Sequence, residues 1–423
     1  MVFKEIWKIV SMSKVKNPKL AKEGKISYEW ARTHMDILDN TLTRLKKSKP
    51  LKGVTIAFCL HITKETSVLL MGAKELGANV AVCGGNPLTT QDHIAAFLAT
   101  QGIHIYAWNG QTNKEYDWCL DQVLNHKPSL ICDDGADMNV KVHFDKKFKS
   151  LKILGSTEET TAGVTRVQAM EKQGKLKYPV VIVNDADTKH MFDNRYGTGQ
   201  STIDGYLRAM GLLFTSKKIV VVGYGWVGRG VAERSRGMGG KVIVTEIDPV
   251  KALEAHMDGF DVMPMSQAAK IGQIFITTTG MTSVIRKEHL LSMKDGSVVG
   301  NVGHFDVEID TKFLLEKSKS VREVRPSLDE CVLRNGRKIY LIGKGRLANL
   351  VAAEGHPPEV MAQSFSNQIL SLLYIFKNHK KMGKKTMIVP KEIDRQIAVD
   401  ALKAMDVKID KLTKEQKKYA ESW

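Results

Sequence analysis

Along the first 190 residues the apolar positions fall into short continuous runs, most of them followed by a stretch whose apolar residues recur at helical spacing. The runs are GVTIAFCLH (53–61), NVAVCGGN (79–86), IHIYAW (103–108), PSLICDDGAD (128–137) and YPVVIVND (178–185). A strand that is apolar throughout is buried on both faces. Such strands alternating with helices predict a parallel sheet covered on each side. A second series begins near residue 200 and comprises IVVV (219–222), KVIVTEID (241–248), QIFITTTG (273–280) and SVVGNVGHF (297–305). The pattern predicts an α/β chain with two doubly wound parallel-sheet, Rossmann-like domains joined by a hinge, followed by a small C-terminal tail.

Polar residues gather where these strands end, which is where such sheets bind ligands. His61, Thr63 and Glu65 follow one run, and Asp133, Asp134 and Asp137 follow another. GSTEETT supplies Glu158, Glu159, Thr160 and Thr161, and NDADTKH supplies Asn184, Asp185 and Lys189. Helix caps and turns account for any one cluster. Four clusters at the strand ends of one inferred sheet point to a site.

The second series opens with Gly223-x-Gly225-x-x-Gly228 between a strand and a helix that begins near Val227. Glycines there let the backbone turn tightly and approach a pyrophosphate, whose charge sits on the helix N-terminus. The next strand ends in Glu246, eighteen residues past Gly228, where an acid accepts from an adenosine ribose 2′-hydroxyl. No arginine follows it to take a 2′-phosphate, so NAD is expected over NADP.

A chain of 423 residues buries sizeable cores without a metal or disulfide staple. Its five cysteines are dispersed and form no C-x-x-C, which argues for a reducing compartment and no metal site. Charged residues interrupt the N-terminal MVFKEIWKIVSMSK, unlike a signal peptide, and no apolar run is long enough to span a bilayer. A cytoplasmic protein with no membrane partner is expected. The net charge of +17 raises nucleic acid as a partner, but the lysines are spread without interleaved aromatics and read as a solvated surface.

The stretch DTKHMFDNRYGTGQS (187–201), with DDGAD, EETTAG, TEIDP, TTTG, GHFDVEID, GRLANL and GHPPEVM, resembles the S-adenosyl-L-homocysteine hydrolase (adenosylhomocysteinase) family over nearly the whole chain. The resemblance implies reversible hydrolysis of S-adenosyl-L-homocysteine to adenosine and L-homocysteine, with NAD recycled. Oxidation of the ribose 3′-hydroxyl acidifies the C4′ proton, its loss expels homocysteine, water adds, and the ketone is reduced again. It implies that Lys189 takes the 3′-hydroxyl proton, which requires a lowered lysine pKa. Asp193 orients that amine and holds the ribose. Asp134 removes the C4′ proton, and His61 exchanges a proton with the leaving thiol or the attacking water. Glu159 grips ribose hydroxyls, and Asn184 orders the Lys189 region. His304 and His356, with Met361, fall in motifs that close over the substrate, and Thr63 and Glu65 stand at the base-contacting positions. Thr160, Thr161, Asn194, Glu246, Thr279, Asn301 and Asn349 match NAD contacts, beside Gly223, Gly225, Trp226, Val227 and Gly228.

The same resemblance leads us to expect a substrate domain over 1–186 to which 357–388 return. An NAD domain with its hinge segments spans 187–356, and a helical tail over 389–423 lies at a subunit interface, in a homotetramer acting on small molecules. Two departures stand out. Ala162 replaces a third threonine, and Thr198 stands where many relatives carry cysteine, so that position requires no thiol. The sequence ends at YAESW, without the lysine- and tyrosine-bearing extension that reaches a neighbour's NAD in longer members. Other readings are a hydroxy-acid dehydrogenase, which leaves EETT, DDGAD and DTKH unexplained, and a binding protein without catalysis, which the intact Lys189, Asp193 and Asp134 oppose. A third is S-inosyl-L-homocysteine hydrolase, in which hypoxanthine replaces adenine.

Overall fold

The computed structural model describes residues 13–423, so the N-terminal stretch weighed as a signal peptide lies outside them up to residue 12. Among the described residues no helix is long and apolar enough to cross a membrane.

The first sheet contains β1 (Thr55–Leu60), β2 (Asn79–Gly84), β3 (His104–Tyr106), β4 (Leu130–Asp133), β5 (Gly155–Glu158) and β6 (Val180–Ile182). A last edge strand comes from the far end of the chain. Near the start, α1 (Ala21–Arg32) and α2 (Asp36–Leu45) cover one face with α3 (Lys64–Glu75). Every pairing is parallel, and the strand order reverses between β1 and β4. A crevice opens at such a reversal because the connections on either side of it leave in opposite directions. His61 follows β1 and Asp134 follows β4, so both stand at its mouth.

β5 is a strand without an apolar run. Its residues Gly-Ser-Thr-Glu are wholly buried, and two of the three side chains find partners inside: Ser156 Oγ donates to Asn139 Oδ1 at 2.8 Å and Glu158 Oε1 accepts from Gly135 N at 2.9 Å, while Thr157 Oγ1 has none. Asn139 lies on α4 (Asp137–Phe144), and α5 (Thr161–Lys172) follows β5 with Thr160 as its cap.

The chain then runs through α6 (Thr198–Met210) into the second sheet. This comprises β7 (Lys218–Val222), β8 (Lys241–Thr245), β9 (Asp261–Val262), β10 (Ile274–Thr277) and β11 (Ser297–Asn301), with β12 (Ser320–Arg325), β13 (Leu328–Val332) and β14 (Lys338–Ile342). Its order reverses between β7 and β10. The sheet is parallel from β9 to β14, but β13 runs antiparallel to both β12 and β14. The second sheet thus keeps the expected doubly wound parallel arrangement through β14 and is mixed at that edge. An edge built from hairpins needs no crossover helix, and β12, exposed along its length, has no second layer to pack against.

After the second sheet, α8 (Pro358–Met382) packs Phe365, Ile369 and Leu372 into the core of the first, and β15 (Thr386–Ile388) pairs with β6. A final long helix, α9 (Lys391–Ala404), buries Ile397 and Ala401, and its Asp394 accepts bonds from the backbone of Asp187 and Thr188 at 2.8 and 3.0 Å.

Candidate active site

The two crevices share one cavity of about 1500 Å³, lined from Leu60, His61 and Thr63 at one end to Met263 and Ser266 at the other. Its substrate-side wall is polar and charged, and three elements supply the charges. Residues 190–197 form a π-helical turn, whose extra residue changes which side chains share a face. Asp193 Oδ2 stands 2.9 Å from Lys189 Nζ, which also donates to Asn194 Oδ1 at 2.7 Å. Glu159 Oε1 lies 3.5 Å from the same ammonium. Burial disfavours the charged lysine, but Asp193 and Glu159 outweigh it and hold Lys189 above its ordinary pKa. The lowered value expected for a base is therefore not that of the ligand-free protein, because two acids surround the amine. Asp193 is held well below the usual carboxylate range: burial opposes this, but Lys189 and His356 overcome it.

His356 Nδ1 is 2.5 Å from Asp193 Oδ1, while its Nε2 faces Asn349 Nδ2 at 3.1 Å and Thr198 Oγ1 at 3.2 Å. With the Asn349 amide donating to Nε2, the ring proton sits on Nδ1 and is donated to Asp193. Thr198 thus serves as a hydroxyl partner of His356. Glu159 is gripped from behind by Ser364 Oγ and Gln368 Nε2 of α8. Asn184 Oδ1 accepts from Asn194 Nδ2 at 3.1 Å and completes the chain behind Lys189.

Across the cavity, Asp134 lies between two imidazoles. Its Oδ2 is 3.5 Å from His61 Nε2 and its Oδ1 is 3.5 Å from His304 Nδ1, which arrives from the loop after β11 in the other sheet. Asp134 Oδ1 and His304 Nδ1 are buried without a hydrogen-bond partner. Burial pushes the pKa of both histidines down to about 4, so both are neutral at pH 7. Burial raises Asp134, against the pull of His61 and Lys189. The ligand-type atoms of these three residues lie within 4.8 Å of one another. A carboxylate between two neutral imidazoles is also suited to passing protons.

The other half of the cavity fits a dinucleotide. Gly223 has φ +100°, and a Cβ on Gly228 would lie 2.1 Å from the Gly223 carbonyl oxygen, so helix α7 (Trp226–Gly237) packs against the turn. Nothing lies within 4 Å of where a Gly225 Cβ would stand, and no side chain caps α7. That leaves open backbone and an uncapped N-terminus where a pyrophosphate is expected. Glu246 lines the cavity and accepts from Tyr224 N and Ile247 N, each at 2.7 Å. Thr279 is pinned by Glu308, which accepts from its amide at 3.0 Å, from its hydroxyl at 2.7 Å and from Gly280 N at 2.8 Å.

Of the residues singled out in the sequence, the cavity wall brings together His61, Thr63, Asp134, Glu159, Thr160, Thr161, Lys189, Asp193, Asn194, Gly223, Gly225, Trp226, Val227, Glu246, Thr279, His304, Asn349, His356 and Met361. Three of the residues expected to contact ligand or cofactor stand behind it. Gly228 packs under the turn. Asn301 ties down the next loop, donating to the carbonyls of Gly303, Phe305 and Gly345. Glu65 is buried behind Thr63, with Lys64 Nζ 3.1 Å from one oxygen but without hydrogen-bond alignment. Lys64 also pairs at 2.8 Å with Glu354, whose side chain is mostly exposed. Ser364 and Gln368 carry no motif, although the alternation of polar and apolar residues in AQSFSNQILSLL hinted at a polar stripe on a buried helix, and Glu308 lies within GHFDVEID without standing out in it.

Fold and site together define a two-sheet α/β enzyme that sets a nicotinamide dinucleotide against a polar substrate pocket. Residues 12–154 match the family model for S-adenosyl-L-homocysteine hydrolase, and residues 194–355 match that for its NAD binding domain. The chain belongs to the S-adenosyl-L-homocysteine hydrolase family, and its cofactor is NAD. It is 54% identical over 97% of its length to an adenosylhomocysteinase from Saccharolobus solfataricus, covering 98% of that protein. An adenosylhomocysteinase from Aquifex aeolicus is 53% identical, again over 97% of this chain and 98% of the relative. An S-inosyl-L-homocysteine hydrolase from Methanocaldococcus jannaschii is also 53% identical, over 97% of this chain and 99% of the relative.

Proposed function

We propose that the protein catalyses the reversible hydrolysis of S-adenosyl-L-homocysteine to adenosine and L-homocysteine. The observation that carries this reading is the Lys189–Asp193–Glu159 cluster facing an Asp134 flanked by two neutral imidazoles, all in the cavity of the Gly223 turn. NAD, when bound, supplies reversible oxidation of the ribose 3′-alcohol. Lys189 receives the 3′-hydroxyl proton. It does so once ribose hydroxyls engage Glu159 and Asp193, which in the free protein hold the lysine protonated. Asp134 takes the proton from C4′, which lies beside the new ketone. His61, neutral and bonded through Nδ1 to Thr89 Oγ1 at 2.7 Å, hands a proton to the departing thiolate and later draws one from water. His304 closes the pocket over Asp134 and excludes bulk water.

The test is to load the purified protein with NAD, remove free cofactor, and follow thiol release from S-adenosyl-L-homocysteine. Many turnovers per bound NAD are expected. One NAD consumed per thiol would overturn the reading. A second reading, with the inosyl compound as substrate, is favoured by a relative of that name at 53% identity. Thr63 at the base end of the cavity and the carboxylate of Glu65 behind it support the adenosyl compound.

We further infer that residues 1–186 with 357–388 form the substrate domain and 187–356 the cofactor domain, with 187–200 and 350–358 as hinge strands. Residues 389–423 serve as an interface tail in a cytoplasmic homotetramer. The largely exposed Ile409, Leu412, Tyr419 and Trp423 support a covering partner. Light scattering of the purified protein tests the assembly.

A further inference from the structure

Two groups that the reaction does not consume, the buried Glu158 and the half-buried Arg166, hold the turn that carries Asp134. After Asp134 the backbone takes left-handed conformations twice running, at Gly135 (φ +98°) and at Ala136 (φ +62°). For alanine this conformation is strained, and it persists only where its surroundings enforce it. Gly135 is gripped on both sides. Its N–H donates to Glu158 Oε1 at 2.9 Å, and its carbonyl accepts from Arg166 Nη1 at 2.6 Å. Glu158 Oε1 also accepts from the amide and hydroxyl of Thr160, at 3.1 and 3.2 Å. Helix α5 leaves room for this carboxyl, since a Cβ on Gly163 would lie 2.1 Å from it. Arg166 also binds Asp137 Oδ1 at 2.6 Å, and its guanidinium stands 5.3 Å from the Phe305 ring centroid, a cation–π contact with the loop from the other sheet. The turn itself touches that loop, because a Cβ on Gly135 would fall 2.3 Å from His304 Nε2.

We propose that Glu158 and Arg166 are positioning residues: together they fix the Gly135–Ala136 turn that aims Asp134 at the substrate, and Arg166 makes that aim depend on the seating of Phe305. The inference rests on Asp134 acting as the C4′ base. Burial, and then the charge of Asp133 on the neighbouring strand, with Asp134 adding to it, push Glu158 well above the usual carboxylate range. Asp133 itself is raised to about 7 by burial, against its bonds from Asn139, while Asp137 raises it further and Arg166 lowers it. Burial thus favours the neutral form of Glu158, and its Oε1 gathers three donors. Glutamine supplies the same oxygen.

The experiment separates the partial reactions in the NAD-loaded enzyme, with absorbance of the reduced cofactor reporting 3′-oxidation and thiol release reporting elimination. Glu158→Ala and Arg166→Met are expected to form reduced cofactor as the wild type does while thiol release falls by about a hundredfold. That is the scale of an ångström-sized misplacement of a catalytic group. Glu158→Gln is expected to restore thiol release to near the wild-type rate. Phe305→Leu, which leaves both bonds to Gly135 in place, is expected to slow thiol release and spare oxidation. The proposal is overturned if Glu158→Ala slows both steps equally, or if Glu158→Gln is as impaired as Glu158→Ala. Near-normal thiol release by Arg166→Met or Phe305→Leu also overturns it. Asp134→Asn is measured alongside. Normal elimination by that variant would remove the base assignment itself, whereas slow elimination there with no effect of the positioning variants would defeat this inference alone.

Discussion

Lys189 and Asp193 face each other across a π-helical turn, with Nζ and Oδ2 2.9 Å apart and both side chains almost wholly buried. The pair is charged in the free protein, since each group shifts the other toward ionisation. A lysine held as an ammonium is a poor base, so substrate must loosen its acids before Lys189 takes a proton.

That requirement shapes the first prediction. Lys189→Ala is expected to abolish the reduced-cofactor signal and to lower turnover by about 10²–10⁴-fold, as for loss of a general base. In the wild type the rate of 3′-oxidation is expected to climb as pH rises, because the raised lysine pKa keeps the neutral amine scarce. Asp193→Asn removes a charge that raises that pKa, so the ascending limb moves to lower pH even as the maximum falls. An unshifted limb in stopped-flow absorbance would count against the pairing.

Asp134→Asn is expected to behave in the opposite way. Asp134 makes no ion pair or hydrogen bond with Lys189 and acts on that amine only weakly through its charge, so reduced cofactor should accumulate while thiol release stalls. Loss of both signals would place Asp134 in substrate binding instead.

Gly225→Ala and Gly228→Ala separate cofactor fit from fold. A methyl on Gly225 meets nothing within 4 Å in the protein, so the thermal midpoint without NAD should barely move. The upward shift on adding NAD should shrink, because the methyl occupies the pyrophosphate's approach. At Gly228 the methyl meets the Gly223 carbonyl oxygen at 2.1 Å, and the cofactor-free midpoint itself should fall. Differential scanning fluorimetry of both variants, with and without NAD, checks this.

Much of this site was legible before the structure, and the exceptions share a cause. Apolar runs marked β1, β2, β4, β7 and β10 because those strands are buried on both faces. β5 lacks that mark because it buries Ser156 and Glu158 Oε1 against Asn139 and Gly135, partners that only the tertiary fold supplies. Ser364, Gln368 and Arg166 escaped for the same reason, since each acts on a residue supplied by another element. Lys189, Asp193 and Asp134 stood out through the motifs around them, but the charge state of Lys189 did not, because it depends on how closely Glu159 and Asp193 converge.

The two histidines beside Asp134 make stability depend on pH. Burial lowers each from 6.5 to about 4 in the folded protein, so between those values the unfolded chain binds protons that the folded one refuses. Their contribution is fully present above pH 6.5 and is lost as pH falls toward 4. Buried acids with raised values, such as Asp133 at about 7, act in the opposite direction, so the wild-type profile alone is a sum of opposing effects. The difference between wild type and His304→Gln isolates the histidine. In urea unfolding, the variant is expected to gain relative to wild type as pH drops from 6.5 to 4. A constant difference would mean that His304 titrates normally in the folded state.

Base selectivity supplies the last prediction. Thr63 lines the cavity beside Gly355, where a Cβ would lie 3.9 Å from Thr63 Cγ2, and Glu65 sits one step behind with neither carboxylate oxygen in an aligned hydrogen bond. An unsatisfied buried acceptor calls for a donor. The six-position of adenine carries an amino group, whereas that of hypoxanthine carries a carbonyl, which a carboxylate repels. Leaving such a group unpaired costs about 1–3 kcal/mol, so kcat/KM for the adenosyl substrate is expected to exceed that for the inosyl one by roughly ten- to hundredfold. Burial raises the pKa of Glu65 while Lys64 opposes it, so lowering the pH converts the carboxylate to an acid able to donate. The preference should therefore narrow as pH falls, and Glu65→Lys should narrow or reverse it at neutral pH. Competition between the two substrates across pH reads both effects. A wild-type preference for the inosyl compound at neutral pH would overturn the assignment of the base.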